Sequence, residues 1–168
     1  VSVSAASRAI HGLFDDWKRA PTLNLVTSSN EWPASVRARL TPSARPREGA
    51  YDPETRTVYL AADAMRNPAR ARWAALHEVV GHDGLRGAVQ AMDRGAGSLS
   101  RGLRELRNLP VIEELAHAIA RDRGQKVSTT EAMDEATEEA AAELLTAEET
   151  DGWRDLEARY RVAVPARM

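Results

Sequence analysis

An α+β fold is what this sequence predicts: a small N-terminal sheet with a hairpin, then a mostly helical half. Three observations predict it. The run from Gly49 to Ala61 is two β-rich stretches around Asp52-Pro53-Glu54-Thr55, residues that favour a turn. From Asn67 onward the apolar residues recur at helical rather than alternating spacing. Within that half, Ala75-Leu-His-Glu-Val-Val-Gly-His-Asp-Gly-Leu-Arg86 sets two imidazoles and a carboxylate on one apolar helical stretch.

With 168 residues the chain is expected to be a single domain, large enough for a sizeable core. Its internal divisions are expected at 1–66 (helix plus small sheet), 67–124 (metal-site helices) and 125–168 (acidic C-terminal helices). The balance of 23 basic against 25 acidic side chains provides no field to attract nucleic acid or an anionic membrane. There is no cysteine, which excludes disulfides and thiolate metal sites. No run approaches the roughly 20 apolar residues of a membrane helix, and no signal peptide is visible. A cytoplasmic protein is expected. The start at Val1 suggests a processed product or a piece of a longer chain, and alanine- and arginine-rich composition suggests a GC-rich bacterial or phage source.

In chain order, residues 4–19 read as an amphipathic helix, with Ile10, Leu13, Phe14 and Trp17 at helical spacing and Pro21 as its stop. Thr22–Thr27 alternates and is rich in β-formers, so it reads as a strand. Residues 34–40 read as a short helix and 41–48 as loop. Asn67 and Pro68 are an N-cap and a first helical residue, opening a helix whose buried stripe is Trp73, Leu76 and Val80. Short helices are expected over 85–93 and 98–107, separated by the glycine-rich Arg94–Gly97. Pro110–Asp122 is an amphipathic helix with Glu113 and Glu114 near its start and His117 one turn on. Ser128–Glu131 has the capping-box pattern and opens a long alanine-rich helix to about Glu149. Its acids, uninterrupted by any basic residue, read as a solvated face, with docking to a basic partner as the alternative. A last short helix carries Trp153, Leu156 and Tyr160.

The chemistry centres on His77, Glu78 and His82. Two imidazoles suit a metal ion, and a carboxylate beside the first suits a proton acceptor for water activated by that metal. In the common arrangement the histidines stand four apart, about 40° round an α-helix, whereas a spacing of five splays them by roughly 140°. The helix must therefore absorb one residue, by a π-bulge or by unwinding, between Val79 and Asp83. Gly81 is expected to be where the backbone gives way. A catalytic site also needs a third ligand, and the acid pair Glu113 and Glu114 offers one.

His-Glu-Val-Val-Gly-His followed by Glu-Glu-Leu-Ala resembles the His-Glu-x-x-Gly-His and Glu-Glu-x-x-Ala pair of dipeptidyl peptidase III. There the second glutamate of the pair binds zinc, which implies Glu114 here, with Glu113 as the substitute. The wider run through His-Asp-Gly-Leu-Arg resembles the zincin-like metallopeptidase domains of phage and mobile-element polyvalent proteins, over roughly the first 120 residues. The resemblance implies a Zn2+-dependent peptidase acting on a peptide or protein, with Glu78 as general base and His77, His82 and Glu114 on the metal. It also implies other domains in a longer parent chain, delivered into a host cell. A peptide substrate is expected to pair with an edge strand near Tyr59, and Glu113, His117, Arg86 and Tyr59 are candidates either to support the metal ligands from outside or, for the last three, to steady an oxyanion. Two other functions fit parts of the sequence. One is a non-catalytic zinc-binding or interaction module, against which Glu78 speaks. The other is a metal-dependent phosphohydrolase, suggested by His82-Asp83 but lacking a histidine at a suitable earlier position.

Overall fold

A computed structural model of the protein describes residues 1–40, 46–92, 99–125 and 129–162. The fold is α+β, with one three-stranded sheet and a mostly helical remainder. The chain divides into two compact units, Val1–Val79 and Val80–Met168.

In the first unit, helix α1 (Val3–Ile10) starts where the Ser2 side chain accepts a hydrogen bond from the Ala5 N–H. It is half the expected length. Gly12 takes φ +77°, a left-handed conformation that stops the helix, and Phe14 and Trp17 follow in turns instead. Strand β1 (Thr22–Val26) is succeeded by helix α2 (Ala34–Arg39), then β2 (Gly49–Asp52) and β3 (Thr57–Ala61). The sheet order is β1-β3-β2, with β1 parallel and β2 antiparallel to the central β3. Asp52 closes the hairpin as its turn chemistry predicts: its carboxylate accepts from the Glu54 N–H (3.1 Å), the Thr55 hydroxyl (2.8 Å) and Arg39 (2.7 Å). Burial alone raises the Asp52 carboxyl, but those donors outweigh it and hold the carboxyl below its ordinary range. Trp32, Val36, Ala50, Tyr59 and Ala61 form a core cluster against the sheet.

Helix α3 (Pro68–Leu76) begins as expected, the Asn67 side chain accepting from the Arg70 N–H at 2.8 Å. At His77 the α-helix gives way to a π-helix that runs through Gly84, and α4 (Leu85–Met92) resumes α geometry.

The second unit adds α5 (Leu99–Arg107), α6 (Pro110–Asp122), α7 (Thr130–Thr150) and α8 (Trp153–Tyr160). The Arg94–Gly97 loop and Ser128 of the expected capping box lie outside the described residues. Thr129 caps α7, its hydroxyl accepting from the Ala132 N–H. Leu85, Val89, Leu103, Leu115, Ile119, Met133, Leu156 and Val162 belong to one core around α7. That helix is buried on most sides, and Ala136, Ala140, Ala141, Ala142 and Ala147 allow its neighbours to approach closely. Among the described residues, no helix is long and apolar enough to cross a membrane.

Candidate metal centre

The π-helix solves the spacing problem of the two histidines. Its hydrogen bonds run over five residues, so residues five apart come over one another as residues four apart do in an α-helix. The distortion is wider than the expected Val79–Asp83, spanning His77–Gly84. On this single continuous segment His77, Glu78 and His82 each offer a ligand atom, all within 4.8 Å of one another. His77 and Glu78 are buried and His82 half-buried. These side chains are positioned to hold a metal ion.

Gly81 lies inside the π-segment, at the place expected for the backbone to give way, and its missing side chain has a second use. A Cβ built there would lie 2.6 Å from Ala142 Cβ and 2.9 Å from Ala142 Cα, so the glycine allows the π-segment to lie against α7. Because the obstacle includes main-chain atoms, it cannot rotate aside. Gly81→Ala is expected to destabilise the fold by about 1–3 kcal/mol, the usual cost of overpacking, visible as a lowered midpoint in thermal unfolding. An unchanged midpoint would disprove the close fit.

The contact with α7 sets two of its carboxylates beside His82. Glu138 Oε1 is 2.9 Å from His82 Nδ1, and Arg86 grips the same carboxylate through Nε at 2.7 Å and a terminal nitrogen at 2.8 Å. Burial on its own raises the Glu138 carboxyl, but the hydrogen bonds and charges of His82 and Arg86 outweigh this and keep it ionised below its ordinary range. An ionised carboxylate at Nδ1 requires a proton there, which makes Nε2 the nitrogen for a metal. His82 Nε2 in turn lies 3.8 Å from Glu139 Oε2. Two donors each about 2.1 Å from one ion stand no more than about 4.2 Å apart, so this pair fits a shared metal.

Glu139 is also held by Arg123 at 2.9 Å. Burial lowers the Arg123 guanidinium, but Glu139 and Glu135 together raise it, so the cation persists beside the carboxylate. Glu143 is buried and accepts from Arg159 (2.9 Å) and the Tyr160 hydroxyl (3.1 Å). Burial first, and the Glu143 carboxylate second, push the Tyr160 phenol far above its ordinary value, so the hydroxyl stays a donor.

Several expected residues lie elsewhere. Glu113 and Glu114 are exposed on the first turns of α6, and neither joins a metal-ligating group among the described residues. His117 is half-buried on the same helix. Arg86, by contrast, lies beside the site: it holds Glu138, the carboxylate at His82 Nδ1, which matches the supporting role among the two expected for it. Tyr59 is buried on central strand β3, its ring 6.5 Å from that of Trp32, so it belongs to the core and not to a sheet edge. The edge strand beside the site is β2: a Cβ on Gly49 would fall 2.7 Å from Glu78 Oε1.

The acids of α7 are the residues that sequence reasoning passed over as a solvated face. Two of them, Glu138 and Glu143, are buried, and the Glu139 side chain is only 15 % exposed. A signal did exist. Glu138-Glu139-Ala140-Ala141-Ala142 spells out Glu-Glu-x-x-Ala in full, whereas the run from Glu113 ends on His117 where the pattern asks for alanine. Comparison with family models, with curated proteins and with solved structures gives no match for this chain.

Proposed function

We propose that this protein is a zinc-dependent peptidase that cleaves peptide bonds by general-base hydrolysis, and that its likeness to zincin-like domains reflects this chemistry. The observation that carries the reading is the π-helical segment that gathers His77, Glu78 and His82 within 4.8 Å. A fully helical spacing of five would separate the two rings, so the rare π geometry has a purpose here that a metal explains. The two histidines of the π-segment would hold the ion, and Glu139, 3.8 Å from His82 Nε2, would add an oxygen, the mixed nitrogen and oxygen set of catalytic zinc sites. Zinc bound there supplies Lewis acidity and brings the pKa of a water toward about 7.

The chain's own residues supply the rest. Glu78 takes a proton from the attacking water as its oxygen bonds to the scissile carbonyl carbon, then passes that proton to the amine as the C–N bond breaks. Glu138 and Arg86 keep His82 in the tautomer that presents Nε2. Strand β2, where Gly49 lies under the Glu78 carboxylate, is the edge on which an extended peptide would pair and pass the base.

The test is a proteome-derived peptide library exposed to the zinc-loaded protein and to the same protein after chelation. New peptide ends that depend on zinc are expected. A library left intact by zinc-loaded protein would overturn the proposal, whereas inertness toward casein alone would only reflect selectivity.

A further inference from the structure

The Glu138 carboxylate orients His82 through its outer nitrogen; on His77 the structure shows an orienting contact of another kind. The His77 imidazole is stacked on the indole of Trp73, with ring centroids 4.8 Å apart and planes 16° from parallel. The guanidinium of Arg70 also lies over Trp73, 3.6 Å from the ring centroid. Arg70 precedes Trp73 by three residues and His77 follows it by four, so along the helix they contact the indole from the turns on either side. Arg70 is itself fixed: its Nε lies 2.7 and 2.9 Å from the two Glu48 oxygens, and a terminal nitrogen lies 2.6 Å from one of them. Trp73 is half-buried, so it is not the fully enclosed core residue that its place in the apolar stripe predicts.

We propose that Trp73 is a positioning residue for metal capture, clamped by Arg70 so that its indole sets the plane of the His77 imidazole. The inference rests on the metal reading above. A ligating ring must be held within roughly 10–20° of its productive orientation, and a histidine side chain has two torsions that would otherwise wander. Stacking fixes the plane while leaving the ring edge, with its nitrogens, to the ion. The cost of losing such a support is set by how much ring freedom returns on metal release, and outer contacts of this kind are worth about tenfold in metal affinity at the low end. Glu48 gives the clamp a further consequence. It immediately precedes Gly49, over which Glu78 packs, so the start of β2 is tied to both the ligand ring and the base.

The experiment is zinc competition titration of the wild type, Trp73→Phe and Trp73→Leu, read together with tryptophan fluorescence. Trp73→Leu removes the stack and is expected to weaken zinc about tenfold; Trp73→Phe keeps an aromatic face and should stay within about threefold of wild type. Zinc should change the fluorescence of the wild type, and this response should vanish in Trp73→Phe although Trp17, Trp32 and Trp153 remain. Arg70→Met, which keeps the hydrocarbon stem and loses the guanidinium, covers the case in which Trp73→Leu fails to fold, and should weaken zinc in the same direction. Zinc affinity equal to wild type in the folded Trp73→Leu protein, or in Arg70→Met where it stands in, overturns the proposal, even if the fluorescence response is lost. A wild type that binds no zinc at all overturns the metal reading itself, and the clamp with it.

Discussion

Glu78→Gln is expected to leave zinc binding near that of the wild type while slowing peptide cleavage by roughly 10²-fold or more, the usual scale for a lost acid–base group. Glutamine keeps the size of the side chain and its contact over Gly49, where the glutamate Cγ would lie 2.8 Å from any added Cβ. What it loses is the ability to take a proton. Glu78 offers an oxygen within 4.8 Å of the two histidine nitrogens, close enough to reach a water beside them, and the proposal gives it the proton and not a ligand place. Binding and chemistry should therefore separate in this variant. The measurement is the rate of appearance of library fragments with both proteins zinc-loaded to the same stoichiometry, checked by native mass spectrometry. Equal rates and equal fragment patterns would mean that the activity comes from another residue or a contaminant. Loss of zinc together with activity would move Glu78 into the ligand set.

The parts of this fold that are legible in the sequence are those fixed by local chemistry. The β2–β3 hairpin is legible because Asp52 satisfies its own turn, and the start of α3 because Asn67 and Pro68 suit the first positions of a helix. The π-helix is legible for a different reason. Two histidines five apart come to one side of a helix only if it changes pitch, so their spacing points to the backbone distortion. The end of α1 was legible in principle, since Gly12 interrupts the run of apolar residues, but helical spacing on both sides of it hides the stop.

What could not be read locally was decided by packing between distant elements. A row of glutamates without a basic residue resembles a wetted surface, because the sequence of α7 does not show where its counter-ions lie. They come from elsewhere: Arg86 from α4, Arg123 from beyond the end of α6, and Arg159 from α8. The alanines between those acids were the better clue, since a helix with small residues on several faces is built to be approached from several sides. The same reasoning adds a second part for Gly81. Its value lies in the missing Cβ opposite Ala142, a steric fact that belongs to two segments at once.

The choice of third ligand is the sharpest consequence of that burial. Glu139→Gln is expected to weaken zinc by more than the roughly 10–100-fold that losing an outer-shell partner costs, whereas Glu114→Gln is expected to leave it unchanged. Glu139 stands 3.8 Å from His82 Nε2, the nitrogen proposed to take the metal, while Glu114 is exposed on α6. Glutamine at 139 can still accept from Arg123, so the local fold should survive and the loss can be assigned to the missing charge on the ligand oxygen. Glu138→Gln belongs in the same series. It touches His82 at Nδ1 and not the proposed ion, so it should fall inside the 10–100-fold range, between the other two. Competition against a chromophoric chelator gives all the affinities on one scale, and circular dichroism of the metal-free proteins checks that each is folded. If Glu139→Gln binds zinc like the wild type while Glu114→Gln or Glu113→Gln loses it, the ligand lies on α6. The carboxylates of α7 would then be structural partners of the arginines and of His82.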